Sequence, residues 1–258
     1  MTNFDRNTSF GYRGGVSRTG AAEIDEGLRA YMVGVYNHMV LGLGVTGFVA
    51  LGTYMLAVVK EGGRQVALTP FGHMLYATPL KYVVMLAPLA FVLFLGFRAE
   101  RMSAATARNV FLAFSAVMGL SMSTIMLVFT GASIAKVFFI TSAAFAGLSL
   151  YGYLTKRDLS AFGSFLVMGL WGLVIASLVN LFFQSSALQF GLSILSVFIF
   201  AGLTAWDTQS IKDGYYQSAA YGSEVAQKQS VFGALSLYLD FINMFQSLLY
   251  LFGDRNND

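Results

Sequence analysis

The sequence has no cysteine and only two histidines in 258 residues. The missing cysteines exclude a disulfide-stapled secreted domain. With so few soft ligands, the composition also argues against a zinc or copper centre. Charge is scarce as well: 11% of residues are Asp, Glu, Lys or Arg and 56% are apolar. A soluble enzyme carries about 25% charge and a disordered chain has little apolar content, so neither class fits. No CxxC, HExxH, phosphate loop or G-x-S-x-G elbow is present. No enzymatic activity and no bound cofactor are therefore expected. The N-terminus lacks an apolar stretch behind a basic start, so no cleaved signal is expected. No repeat of 20–50 residues is visible.

What remains is a chain of long uncharged runs separated by charged clusters. Uncharged stretches near 20 residues read as membrane-spanning helices. Residues 1–30 are polar and read as a flexible tail, and residues 31–253 as an all-α membrane domain. Tyr31–Val59 holds no formal charge and forms the first span (31–59). Pro70 and Pro79 mark a loop dipping towards the interface. The second span, 81–97, carries Pro88 as a kink. The third and fourth fall at about 109–129 and 134–155. Leu159–Trp206 is a run without charge. As one helix it would be roughly 70 Å long, more than twice the ~30 Å hydrocarbon core. It must fold back at Gln184-Ser185-Ser186, giving spans 161–183 and 188–207. A hydrophilic loop, Lys212–Ser230, leads to the seventh span, 231–252, and residues 254–258 form a short tail.

Counted on alternate sides, eleven of the 16 Lys and Arg residues lie on the side of the N-terminus. The positive-inside rule then puts the N-terminus in the cytoplasm. The net charge of +3 reflects basic loops beside anionic headgroups. The lipid bilayer is the expected partner, and nucleic acid is not.

Charged groups inside the bilayer are costly and usually face a bundle interior or a water path. Asp240 lies ~14 Å into the seventh span. Its helical neighbours Gly233, Ser236, Asn243 and Ser247 make one polar, small-residue stripe. Asp207 ends the sixth span. The two spans are sequential and antiparallel, so their acids can meet. Two carboxyls that share a site hold protons as a unit, which is the chemistry of a pH sensor. They also offer oxygens to a hard cation. Calcium wants 6–8 oxygens, so Asp207 and Asp240 suit transient passage of calcium better than storage. Arg98, at the end of the second span, is placed either to pair with Asp207 or to anchor its helix at the membrane surface. His38 reads as a hydrogen-bonded core histidine. Asn180 and Gln246 are candidates for bonds across helices, and the pairs Ala143/Gly147 and Gly172/Ala176 allow close helix contact. No lysine in the seventh span can carry a retinal Schiff base.

The segment Phe200-Ala201-Gly202-Leu203-Thr204-Ala205-Trp206-Asp207-Thr208-Gln209 resembles the sixth-helix motif of the Bax-inhibitor (transmembrane Bax-inhibitor-motif) family. Gly233 to Asn243, GALSLYLDFIN, resembles its final-helix signature. Met102–Ala107, Val128–Ser133 and Leu148–Tyr153 are similar to its bacterial branch. The resemblance covers residues 30–253. It implies seven helices with the last one central, in a bacterial inner membrane, and a pH-dependent calcium leak. It further implies that Asp207 and Asp240 form the pH-sensing pair and that Arg98, or alternatively Arg101, latches to Asp207. Trp206 and Phe129 stand where the family more often has tyrosine, and Tyr250 where bacterial relatives often have arginine. Some bacterial relatives are linked to membrane-bound AAA proteases. The resemblance therefore allows a second role, a non-transporting regulator of quality control whose polar N-terminal tail is the protease's handle. A proton-coupled transporter is a third.

Overall fold

A computed structural model describes residues 18–61, 64–218 and 222–256. Lipid offers no hydrogen bonds, so a spanning backbone must satisfy its own N–H and C=O groups, which helices do. Seven helices are long and apolar enough to cross a membrane. They are α1 (Arg18–Ala57), α2 (Leu80–Arg98), α3 (Ala104–Met122), α4 (Gly131–Leu154), α5 (Ser160–Phe183), α6 (Ser186–Ser218) and α7 (Ser223–Phe252). Small polar side chains start two of them. Ser103 Oγ accepts from Thr106 N at 3.2 Å before α3, and Thr130 Oγ1 accepts from Ser133 N at 3.2 Å before α4. Each satisfies one of the N–H groups a helix start leaves open. Gln184, in a left-handed backbone (φ 49°), ends α5. Asn180 ties that turn to α6: its Oδ1 accepts from Ser185 N at 3.1 Å and its Nδ2 donates to Gln189 Oε1 at 3.1 Å.

α7 sits at the centre, packed against α6, α1, α3 and α4, while α2 leans on α3 and α5 on α6. Half of the most apolar stretch of α7 is buried, the largest share among the seven. Tyr238 is its fully buried midpoint. The ring meets Phe111 and Phe114 edge-on at 5.5 and 5.9 Å, and the hydroxyl lies 2.6 Å from Thr46 Oγ1. Thr46 in turn donates to Ser115 O at 2.9 Å. One aromatic ring thus joins α1, α3 and α7.

Four expectations change. α1 begins at Arg18, so the expected tail is helical from there, and residues 1–17 lie outside the described part. Between α1 and α2 the chain forms an antiparallel hairpin, β1 (Val58–Glu61) with β2 (Arg64–Leu68), followed by the short turns Pro70–Gly72 and His73–Ala77. The hydrophilic stretch Lys212–Ser230 is mostly helix, because α6 runs to Ser218 and α7 starts at Ser223. Charge there marks where the helices meet water and does not end them. Finally, Gly147 and Gly172 face open space. Close approach occurs instead at Gly152, where any side chain would collide with the Ala205 backbone, and at Gly119 against Thr46.

At one end Lys212 Nζ donates to Tyr153 O (2.9 Å), Gln209 Nε2 donates to Arg157 O (2.8 Å), and Tyr31 and Tyr215 stack at 5.1 Å. This basic end joins the α4–α5 turn to α1 and the α6–α7 hairpin. At the opposite end Tyr76 donates to Ser123 Oγ (2.8 Å) and the segment after α7 folds back on the α3–α4 turn. Asn256 Nδ2 donates to Phe129 O (2.9 Å) and Thr130 N to Asp254 O (2.9 Å).

Candidate functional site

The hairpin of α6 and α7 brings Asp207 and Asp240 together. Their carboxyl groups are side-chain hydrogen-bonding neighbours. Asp240 is 3% exposed and Asp207 half-buried. Asp240 Oδ2 is sealed from solvent and has no hydrogen-bond partner among the described residues. Buried acceptors left without a donor cost about 1–3 kcal/mol. Such a group is therefore a place where a proton or cation gains most by arriving.

The hydroxyls next to Asp207 in α6 are spent on other partners. Thr204 and Thr208, fully buried on α6, donate back to Phe200 O and Thr204 O at 2.7 Å each. Thr208 Oγ1 also lies 3.0 Å from Ser149 Oγ, which lies 2.6 Å from the Tyr36 hydroxyl. A hydroxyl string therefore runs from α1 through α4 to the residue beside Asp207. On the expected polar stripe of α7, Ser247 is buried and hydrogen-bonded to Ser196 Oγ at 2.7 Å. Ser236 and Asn243 are half-buried, and Asn243 donates to Leu239 O of its own helix at 2.8 Å.

The latch is not made in this structure. Arg98 is exposed at the end of α2 and its guanidinium lies 5.4 Å from the Phe94 ring centre, on its own helix. Arg101 is exposed as well. The reason is placement: α2 packs chiefly on α3 and has no extensive packing on α6 or α7. His38 Nδ1 pairs with Gly34 O at 2.8 Å, one turn back. No three His, Cys, Asp or Glu side chains gather into a metal cage among the described residues.

Sequence reading missed Tyr36, Ser149 and Thr208, and also the Tyr238–Thr46 pair. Hydroxyls at helical spacing inside apolar spans were the available signal, but partners 113 and 59 positions apart cannot be matched from spacing.

Seven apolar helices around a buried carboxyl pair define a multi-pass membrane protein with an intramembrane acid site. The model of the family described as "Inhibitor of apoptosis-promoting Bax1" matches residues 28–257, and the chain belongs to the Bax inhibitor family. It is 41% identical over 230 residues to the inner membrane protein YbhL of Escherichia coli K12, covering 89% of this chain and 93% of that one. It is 45% identical over 233 residues to the uncharacterized protein RP147 of Rickettsia prowazekii, covering 90% and 93%. An uncharacterized protein of Caulobacter vibrioides is 42% identical over 236 residues, covering 89% and 90%. Phe129 and Tyr250 pack edge-on at 5.8 Å.

Proposed function

We propose that this chain is a pH-gated calcium leak of a bacterial inner membrane, with its N-terminus in the cytoplasm, no resident cofactor and no enzymatic activity. The observation that supports the reading is the meeting, inside the bundle, of Asp207 with Asp240 of the most buried helix. Two bare carboxylates about 4 Å apart repel by roughly 4 kcal/mol at an effective dielectric of about 20. One shared proton removes that cost. Removing the proton forces the pair to part or to take up a cation, and calcium, a hard ion, prefers such oxygens. Protonation and cation passage then exclude one another at one place. Asp207, the half-buried member, is the side from which protons arrive. The inner-membrane assignment rests on the name of the Escherichia coli relative, and the orientation on the excess of Lys and Arg at the basic end.

Reconstitution into liposomes loaded with a calcium dye tests this. Flux is expected to depend on pH, and Asp240→Asn, which keeps the shape and removes the titrating group, is expected to abolish that dependence. Flux that ignores pH and is the same in Asp240→Asn as in the unaltered chain would end the proposal.

A further inference from the structure

Helices α1 and α4 both pack on α7 and pack only weakly on each other, the Tyr36 and Ser149 hydroxyls meeting between them at 2.6 Å. The gap between them is a groove of about 960 Å³, walled by α1 and α4 and floored by Phe241 of α7. That size is at the upper end of ligand pockets. We propose that this groove holds one anionic glycerophospholipid from the leaflet at the basic end of the molecule.

Length, charge and chemistry support this occupant. The α1 wall runs from Arg29 to Gly47. That stretch is about 27 Å long at 1.5 Å per residue, enough to hold a lipid that spans one leaflet of roughly 20–22 Å with its headgroups. Arg29 stands at the outer mouth. Lys212 is beside that mouth, its ammonium 5.7 Å from the ring centre of Tyr153, which lines the groove. Two cations at headgroup depth favour a phosphate that carries net charge. Further in, the lining is apolar except for the hydroxyls of Tyr36, Ser142 and Ser149. Tyr36 and Ser149 bond each other at 2.6 Å, and Ser142 donates to Phe138 O at 2.8 Å. No polar group there demands water, so an acyl chain fits. Room is also present: an added Cβ at Gly44 or Gly47 meets nothing within 4 Å.

A second copy of the chain is the poorer occupant. A two-fold axis along the membrane normal would set both Arg29 residues side by side at one depth. The site also touches the acid pair through its lining, since Phe241 follows Asp240 and Ser149 bonds Thr208, which follows Asp207.

The full-length chain is reconstituted in bilayers of equal phosphatidylglycerol and phosphatidylethanolamine, extracted mildly, and weighed intact by native mass spectrometry. The unaltered chain is expected to retain one phosphatidylglycerol. Gly44→Leu and Gly47→Leu, which fill the groove, are expected to lose it. Gly96→Leu, a glycine of α2 that also faces open space, is expected to keep it. Arg29→Gln is expected to lower the preference for phosphatidylglycerol roughly fivefold. If one groove variant fails to fold, the other carries the same reading. Retention unchanged in the groove variants, equal retention of both lipids by the unaltered chain, or dimers that the groove variants dissolve into monomers would each overturn the assignment. No calcium measurement enters, so the result stands apart from the leak proposal.

Discussion

In α7 half of the most apolar stretch is buried, whereas in α2 only 11% is. The contrast runs against intuition from water-soluble proteins. α7 carries Asp240, Asn243 and Ser247 and is the least apolar of the seven, yet it is the core. α2 is almost uniformly apolar and presents residues such as Phe97, 86% exposed, to lipid. Hydrocarbon tails are as apolar as leucine, so no hydrophobic force draws α2 inward. What goes inside is what lipid cannot serve: carboxyls, hydroxyls, and the small residues that let backbones touch. Between these two helices, the more apolar one is the one that faces lipid.

The largest expected break in this contrast is Tyr238→Ala. It empties the centre of the bundle and should cost about 3–5 kcal/mol. Phe97→Ala on α2 should stay within about 0.5 kcal/mol. Unfolding in micelles measures both, and similar losses would mean that the two helices are equally embedded. Next comes Gly152→Val, which drives a side chain into the Ala205 backbone and should cost about 1–3 kcal/mol or more. Gly147→Val, on the open face of the same helix, should be nearly silent in the same assay. Tyr238→Phe sharpens the comparison further, because it keeps the ring contacts and loses the hydroxyl that meets Thr46 and Ser115. A loss of about 0.5–1.5 kcal/mol is expected, and a larger one would assign the hydroxyl more than a local role.

The smallest effect belongs outside the membrane. Hydrogen bonds from the Ser160 side chain and from its backbone N–H, the latter at 2.8 Å, hold the Asp158 carboxyl below its ordinary value. A carboxyl depressed in the folded state stabilises above its unfolded value, and the gain fades as pH falls through its folded one. The small stability gap between the unaltered chain and Asp158→Ala should therefore close on acidification.

The seven spans were legible because each is a run of about the right length with at most one charged residue in it. The ends of α6 and α7 were not, because Lys212 and Lys228 mark the water boundary and helices continue past it. The β1–β2 hairpin was missed although Gly62-Gly63 between two Val-containing runs is a turn signal. The meeting of Asp207 and Asp240 could be anticipated because consecutive antiparallel helices must be neighbours. The position of Arg98 could not, since nothing in its local sequence says whether α2 reaches α6. Nor could the groove between α1 and α4, which exists because two helices share a neighbour while packing only weakly on each other.

The fold-back after α7 carries a consequence for biogenesis. Asp254 and Asn256 are the last stitches of a ring that includes Phe129 and Thr130. During synthesis the α3–α4 turn must wait, its carbonyls uncovered, until the helix destined for the middle has been inserted between its predecessors. An insertion machinery that delivered helices outward one at a time would leave that seam open, so the early helices need a sheltered place to linger before the last one arrives.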